Sequence, residues 1–245
     1  RGPVGTGRLL VRGTVGRVGR LAVTEGARGT GIGAALLSAL EQEAIGAGLA
    51  SIELHAQLPA RGFYERAGYA AVGPVFAEAG LDHVAMRKAL PLIRAVADSD
   101  SAALIALIGD CWAAYPGTVM DVDGEEPWLR APATAYSTWR GQMWVVTLDG
   151  AVVACAGIKP REDHAELKSL YVAAAARRRG LGERLTGLVE DAARRSGLRQ
   201  MRLWSDTRFT DAHRLYDRLG YARLPMVREL HDLSNSVEYG YQKDL

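Results

Sequence analysis

Hydrophobic positions along the chain alternate over short runs and follow a helical spacing over longer ones, and the two patterns succeed each other in the same order twice. In the first half they predict helices at 33–45 and 60–67, and strands at 4–12, 17–23, 52–55, 69–73 and 84–86. In the second half they predict helices at 102–112, 181–195 and 211–219, and strands at 93–96, 143–148, 152–158, 166–172, 201–204 and 237–242. Strands and helices of this kind belong to the α/β (α+β) class.

Residues 116–132 are polar, contain prolines and predict no regular element. Asp121 and Asp123 resemble the start of a calcium loop, but Pro132 stands at the twelfth position, where that loop needs a Glu. We therefore predict an irregular loop here and no metal site.

The two halves share residues as well as pattern. Arg28, Gly31 and Gly33 return 149 positions later as Arg177, Gly180 and Gly182. The run from Phe63 to Tyr69 returns 152 positions later as Leu215 to Tyr221. Two ordered blocks of this size indicate two domains.

Leu90-Pro91 is the predicted boundary, because proline interrupts strand pairing. We predict domains at 1–90 and 91–245, of which the first contains only the later strands and helices. The chain begins with Arg1 rather than Met, so we expect it to be a fragment or processed.

Composition and net charge bear on which partners and which cell compartment to expect. Thirty basic and 28 acidic residues leave a net charge of +2, which favours binding neither to nucleic acid nor to a membrane. No apolar stretch is long enough for a transmembrane helix and no secretory leader is present, so we expect a cytoplasmic protein. Cys111 and Cys155 make no disulfide framework, and a buried structural thiol is the expected role of Cys155.

A strand running into an arginine- and glycine-rich loop, which opens directly into a helix, is the arrangement expected of an anion-binding site. The first N–H groups of a helix have no partner within the helix, and its dipole attracts negative charge. Glycines let a phosphate approach the backbone closely. The loop at Arg177–Arg184, and its repeat at Arg28–Gly33, therefore predict phosphate binding.

These blocks, with strand, Arg-x-x-Gly-x-Gly, helix, strand and a helix ending in aromatic-Tyr-x-x-x-Gly-aromatic, resemble the GNAT superfamily of acyl-CoA-dependent N-acyltransferases. The first repeat is similar to the ElaA-like branch, with Ala56-Gln57 before Phe63-Tyr64 and Ala79 to His83 near its end. The resemblance implies two mixed sheets flanked by helices, the first partial. It also implies acetyl-CoA (CoA) as cofactor and an amine as acceptor.

By this resemblance Tyr216 is expected to protonate the departing thiolate, and Glu166 to act through water as the base. Cofactor contacts are expected from the strand end at Leu170, Tyr171 and Val172. The loop and helix are expected to contribute Arg177, Arg179, Gly180, Leu181, Gly182, Glu183 and Arg184. The first repeat is expected to offer Leu21, Val23, Arg28, Gly29, Gly31, Gly33 and Tyr64.

Two departures from the family pattern bear on these roles. Phe209 stands where many members have an asparagine that contacts the cofactor. Arg17 aligns with Glu166, so the first repeat lacks a base on that strand, for which Glu53 or His55 is a substitute. Glu166 as a plain surface residue and Tyr216 as a helix-packing residue are the structural alternatives.

The sequence thus predicts an N-acetyltransferase with its chemistry mainly in the second domain. A non-catalytic acyl-CoA-binding or assembly protein is the alternative. An exposed sheet edge in the first domain would favour pairing with a second copy, so a homodimer is also left open.

Overall fold

The computed structural model describes residues 2–245, which form two compact units that divide between Leu92 and Ile93. The predicted boundary at Leu90-Pro91 lies two residues before this division. Each unit contains one mixed sheet with helices, as the sequence predicts.

The first unit contains a five-stranded sheet in the order β1-β2-β3-β5-β4. Its strands are β1 (Gly5–Arg12), β2 (Val15–Val23), β3 (Ser51–Gln57), β4 (Ala70–Glu78) and β5 (Leu81–Ala89), and its helices are α1 (Ile32–Gly46) and α2 (Arg61–Arg66). Strands β2 and β3 are parallel, and the other pairs are antiparallel. Leu37 of α1 packs with Leu54 of β3 and Met86 of β5 in the buried core of this unit.

The second unit contains a seven-stranded sheet in the order β11-β12-β10-β9-β8-β7-β6. Its strands are β6 (Leu92–Ala95), β7 (Gln142–Leu148), β8 (Ala151–Pro160), β9 (Ala165–Val172), β10 (Gln200–Asp206), β11 (Ala222–Glu229) and β12 (Val237–Asp244). Its helices are α3 (Ser101–Ala113), α4 (Pro132–Thr138), α5 (Leu181–Arg195) and α6 (Thr210–Arg218). One core cluster lies under α5, and a second lies under α3 and α4.

The internal repeat is a repeat of topology. The order β1-β2-β3-β5-β4 corresponds, strand by strand and with the same directions, to β8-β9-β10-β12-β11. Within residues 2–245, β6, β7, α3 and α4 have no counterpart in the first unit.

A buried charged group is repeated too. In the second unit the Glu190 carboxylate accepts hydrogen bonds from Tyr221 Oη at 3.0 Å and Lys243 Nζ at 2.8 Å. In the first unit Lys88 Nζ lies 2.7 Å from the Glu41 carboxylate. The charge of Glu41 adds to burial in raising the pKa of Tyr69. Pairing of this kind is what allows carboxylates to stay buried beneath the sheets.

In the second sheet, strand β9 separates from strand β10, and this separation positions the candidate functional site. Strands β9 and β10 are parallel. Ala165 pairs with Met201 and Glu166 pairs with Arg202, and the strands separate after these two pairs. Beyond that point β9 carries a bulge against β8, where Ser169 has a φ of 56°. Arg20, with a φ of 55°, forms the matching irregularity in β2. The carboxyl end of β9 therefore leaves its neighbour and exposes backbone groups.

The prediction of an irregular loop at 116–132 was wrong in part. A 3-10 helix covers Pro127–Arg130, and α4 begins at Pro132. Each has a proline in its first turn, which suits a helix start, and the fully buried Leu129 anchors the turn. No helix within residues 2–245 has both the length and the apolar character needed to cross a bilayer.

Candidate active site

The loop between β9 and α5 has the geometry of an anion cradle. Arg178 and Gly180 both adopt left-handed backbone conformations, with φ of 58° and 73°. The first bond of α5 in this turn runs from Arg184 N to Gly180 O at 3.0 Å. The N–H groups of Leu181, Gly182 and Glu183 therefore precede the hydrogen-bonded part of the helix and are available to an anion.

Arg177 fastens this loop to the strand before it. Its Nε donates to Val172 O at 3.2 Å, and its Nη1 lies 3.5 Å from the Asp211 carboxylate of α6. Arg28 repeats the first contact, with Nε donating to Val23 O at 3.2 Å. The repeated arginine therefore positions the cradle in both units, in addition to any charge it presents to a ligand.

A cavity of about 710 Å³ lies along the cradle. Predicted cofactor residues that line it are Leu170, Tyr171, Val172, Arg177, Gly180, Leu181, Gly182 and Glu183. Arg179 and Arg184 are not among its lining residues, and the backbone N–H of Arg184 is already bonded to Gly180 O. Arg178 of the predicted loop lines the cavity as well, whereas Cys111 and Asp211 were not predicted from the sequence. Nor was the contact between Tyr115 and Phe209, whose rings meet at a tilt with centroids 4.8 Å apart.

Gly182 serves packing as well as ligand approach. A Cβ at this position would come within 3.0 Å of Leu215 Cδ2 on α6 and 4.0 Å of Val172 Cγ2 on β9. The absence of a side chain lets α5 lie close to its two neighbours.

A second cavity, of about 170 Å³, adjoins the first. The two share Leu170, Tyr171, Phe209 and Ala212, so they meet where β9 leaves β10. Both predicted catalytic residues, Tyr216 and Glu166, line the smaller cavity. The structure thus brings the expected acid and base to one cavity.

Tyr216 projects from α6 into the core and is 5% exposed. Its ring centroid lies 5.4 Å from that of Tyr241 and 5.9 Å from that of Tyr221. Burial raises the pKa of its hydroxyl well above the usual value, so it carries its proton throughout the neutral range.

Glu166 is held by cations. Its Oε2 accepts from Arg161 Nε at 2.9 Å and Nη2 at 2.5 Å, and its Oε1 lies 3.9 Å from Lys168 Nζ. The carboxylate of Glu166 is therefore engaged by two basic side chains, Arg161 and Lys168.

Further polar groups from four segments close the smaller cavity, and none of them was singled out as catalytic from the sequence. Arg208 donates from Nε and Nη2 to the two carboxylate oxygens of Asp206. Arg228 donates from Nε and Nη2 to a single carboxylate oxygen of Glu238, Oε2. Glu126 instead accepts from the indole Nε1 of Trp128. The polar composition of the segment after Arg228 was the one signal available for this wall.

In the first unit the corresponding face carries different chemistry. Arg17 on β2 pairs with Glu53 on β3. In the second unit the corresponding pair is Glu166 on β9 and Arg202 on β10, so Arg17 stands at the position of Glu166, as the repeat predicts. The Nη2 of Arg17 lies 3.2 Å from the ring of His55, whose Nδ1 lies 2.8 Å from the Glu78 carboxylate. Tyr64, the counterpart of Tyr216, is buried, and burial raises its pKa.

Comparison with protein families accounts for both units. The model described as Acetyltransferase (GNAT) domain matches residues 2–90, and that described as Acetyltransferase (GNAT) family matches residues 104–221. The chain belongs to the GNAT acetyltransferases. Its two GNAT domains stand in tandem, as the sequence predicts.

Individual relatives match one part of the chain each. YyaT of Bacillus subtilis is 38% identical over 86 residues, which are 35% of this chain and 58% of that protein. The uncharacterized N-acetyltransferase YjcF of the same organism is 34% identical over 87 residues, 35% of this chain and 62% of that protein. The chain therefore spans less than two thirds of these relatives. The uncharacterized N-acetyltransferase YjgM of Escherichia coli is 29% identical over 140 residues, 55% of this chain and 83% of that protein.

Solved structures share the fold. A GNAT-family acetyltransferase from Staphylococcus aureus superposes with a TM-score of 0.55 at 19% identity, over 63% of this chain and 99% of that one. A ribosomal-protein-alanine N-acetyltransferase from Brucella melitensis gives 0.51 at 22% identity, over 63% and 99%. These likenesses establish the GNAT fold.

Proposed function

We propose that the second GNAT domain transfers an acetyl group from acetyl-CoA to an amine by direct attack of the amine on the thioester. The observation that carries this proposal is that two cavities join. The larger cavity runs along the anion cradle, and the smaller one is lined by the predicted acid and base. They meet at the exposed end of β9, where both substrates would have to meet.

The residues of the larger cavity fit acyl-CoA. The N–H groups at the start of α5 suit the pyrophosphate, because they are unpaired within the helix and lie at the positive end of its dipole. The backbone of Leu170 and Val172, beyond the last residue recorded as paired with β10, suits the amide-bearing pantetheine arm. N–H groups at this strand end also suit the thioester oxygen as negative charge develops on it.

Protons have to move in two directions during this reaction. An alkylamine with a pKa near 10.4 is protonated at pH 7, and making it nucleophilic there costs about 4.6 kcal/mol. After attack, the carbon–sulfur bond breaks and the thiolate takes a proton. We assign that proton to Tyr216, because its hydroxyl stays protonated and reaches the cavity. The proton of the ammonium group goes to a carboxylate of the same cavity, for which the sequence predicts Glu166.

Phe209 shapes the junction. It takes the place of the asparagine expected from the family pattern and lines both cavities. An aromatic ring there cannot hydrogen-bond the cofactor, so we assign it to packing against Tyr115 at the mouth of the cleft.

The substitution Tyr216→Phe tests the proposal. We expect kcat to fall by roughly 10²-fold with CoA affinity nearly unchanged, because the change removes the acid and leaves the cradle intact. Steady-state kinetics with a panel of primary amines would measure kcat, and calorimetry would measure CoA binding.

Tyr241→Phe is the matched control. It is also a buried tyrosine beside the same ring cluster, but it does not line either cavity. Equal activity of the Tyr216→Phe variant and the wild type would remove Tyr216 from the mechanism. Saturable CoA binding without acetylation of any amine would favour the alternative, a non-catalytic acyl-CoA-binding protein.

A further inference from the structure

Five carboxylates line the smaller cavity, and they differ in what binds them. Arginines hold three of them, Glu166, Asp206 and Glu238. Asp232 accepts the backbone N–H of Ser236 at 2.7 Å in its own loop. Glu126 has no ion-pair partner within 4.0 Å among residues 2–245.

The backbone fixes Glu126 at the entrance to the 3-10 helix Pro127–Arg130. Its N–H donates to Asp121 O at 2.9 Å, and its carbonyl accepts from Leu129 N at 3.0 Å. Since Leu129 is completely buried, this turn is anchored in the core below α3. The carboxylate is therefore held at the cavity wall by ordered structure on both sides.

Glu126 lines the smaller cavity together with residues 167–171 at the end of β9. Its negative charge raises the pKa of the Tyr171 hydroxyl and of the Tyr136 hydroxyl, although burial is the larger cause at both. Tyr136 Oη donates to Ser169 Oγ at 3.3 Å, and Ser169 is the bulged residue of β9. Glu126 thus faces the strand segment where the proposed thioester and amine meet.

Several groups set the proton affinity of Glu126. Burial raises its pKa, and Glu125 in the same turn and Glu238 on β12 raise it further. The indole N–H of Trp128 and the ammonium of Lys168 on β9 act in the opposite direction. The net result is a pKa above that of an ordinary glutamate, which suits a general base. The Glu126 carboxylate is also not engaged in ion pairs of the kind that Arg161 and Lys168 make with Glu166.

We propose that Glu126, rather than Glu166, takes the proton from the acceptor's ammonium group. This proposal rests on the acetyl transfer proposed above. The ammonium gives one proton to the Glu126 carboxylate, which later passes it to solvent, and the neutral amine forms the new carbon–nitrogen bond. As the carbon–sulfur bond breaks, Tyr216 protonates the sulfur. The second proton on the former amine nitrogen returns to the Tyr216 oxygen.

Trp128 is a positioning residue in this scheme. Its indole N–H donates to Glu126 Oε2, and its ring packs against Tyr136 and Trp139 at centroid distances of 5.7 and 6.3 Å. Trp128→Phe would keep most of the ring packing and remove the donor. Because that donor stabilises the charged carboxylate, its loss would raise the pKa of Glu126.

The test is the pH dependence of kcat/KM for the full chain, from pH 5 to 10. The probe is whichever of spermidine, tyramine, kanamycin and a lysine peptide the wild type acetylates fastest. For Glu126→Gln we expect a loss of about 10²-fold at pH 7 that narrows as the pH approaches the pKa of the amine. Without a base only the neutral amine reacts, so kcat/KM should rise about tenfold per pH unit.

Two variants serve as controls. Glu125→Gln changes the neighbouring carboxylate, which does not line the cavity, and its amide oxygen can still accept from Leu233 N. It should not show the 10²-fold loss at pH 7, and because the charge of Glu125 raises the pKa of Glu126, its acidic limb should move slightly to lower pH. Trp128→Phe should move the acidic limb of the profile to higher pH. Unchanged CoA affinity in all variants, measured by calorimetry, would show that the fold and the cradle are intact.

The outcomes separate the two proposals. A wild-type profile for Glu126→Gln would overturn the role of Glu126, and a shifted profile for Glu166→Gln alone would assign the base to Glu166, with acetyl transfer standing in both cases. If the wild type binds CoA but acetylates none of the probes, the proposed function itself fails, and the role of Glu126 fails with it.

Discussion

Burial decides how the two thiols of this protein behave. Cys111 lines the larger cavity but is only 7% exposed, and Cys155 is completely buried, with Sγ 3.2 Å from Ser169 O. Neither is in a disulfide. Burial is the largest influence on the Cys111 pKa and raises it, although the charge of Arg177 acts in the opposite direction.

We therefore expect slow alkylation of Cys111. A raised pKa leaves less thiolate at pH 7, and the thiolate is the reacting form, so N-ethylmaleimide should modify Cys111 at least about tenfold more slowly than free cysteine. Saturating CoA should slow the reaction further if it fills the cavity that Cys111 lines. Peptide mass spectrometry over time would measure both rates, and rapid, CoA-insensitive labelling would contradict the assigned position of CoA.

At the residue scale, the sequence identified one candidate base, Glu166, and did not identify the other, Glu126. Glu166 is visible as a candidate because it belongs to a strand of alternating pattern and aligns with a family position. Its ion pair with Arg161 joins two nearby residues, but nothing in the spacing reveals it. Glu126 sits in a polar stretch whose fold depends on the burial of Leu129, so no periodicity marks it.

At the scale of elements, strongly amphipathic segments were predicted well and exposed ones were not. The range predicted for α5, 181–195, matches the structure, because Leu181, Leu185 and Val189 recur at helical spacing. Strand β4 is longer than predicted, and β11 was not assigned. Almost every residue of these two strands is exposed, so no alternation of apolar and polar positions records them.

The start of α5 is the element on which the cofactor proposal depends. Gly180 has a φ of 73°, and a Cβ there would meet no atom within 4 Å, so a substitution is opposed by backbone strain alone. Gly180→Ala should cost about 1 kcal/mol in that conformation and disturb the N–H groups that follow. We expect CoA affinity to fall roughly tenfold, measured by calorimetry.

Gly187→Ala is the matched control for this change. It lies within the same helix at an ordinary φ, and its added Cβ would also meet no atom within 4 Å. Alanine there should leave CoA affinity unchanged and raise the thermal midpoint slightly, since glycine disfavours a helix interior. Equal CoA affinity for the wild type and the Gly180→Ala variant would argue that the cradle conformation does not determine binding.

At the scale of the whole molecule, the repeat extends from residue pairs to backbone geometry. Gly29 and Gly31 have φ of 76° and 87°, the left-handed pattern of Arg178 and Gly180. The hydrogen bond from the Nε of the loop arginine to the carbonyl of the preceding strand is also repeated, at 3.2 Å in both units. The glutamate predicted as base is not repeated, because Arg17 stands at the position of Glu166. Selection for an anion cradle in both units and for acid–base chemistry in one would account for this difference.

A count of bound CoA molecules per chain tests whether both units bind the cofactor. We expect two binding events by native mass spectrometry, because both cradles share one backbone geometry. The event in the first unit should be at least about tenfold weaker, because Cys111 of α3 and Tyr115 just after it line the larger cavity in the second unit and have no counterpart in the first within residues 2–245. Gly31→Ala should weaken only CoA binding in the first unit, and Gly180→Ala only CoA binding in the second unit. A single event, weakened by Gly180→Ala and unchanged by Gly31→Ala, would mean that the first unit keeps the cradle as a structural loop alone.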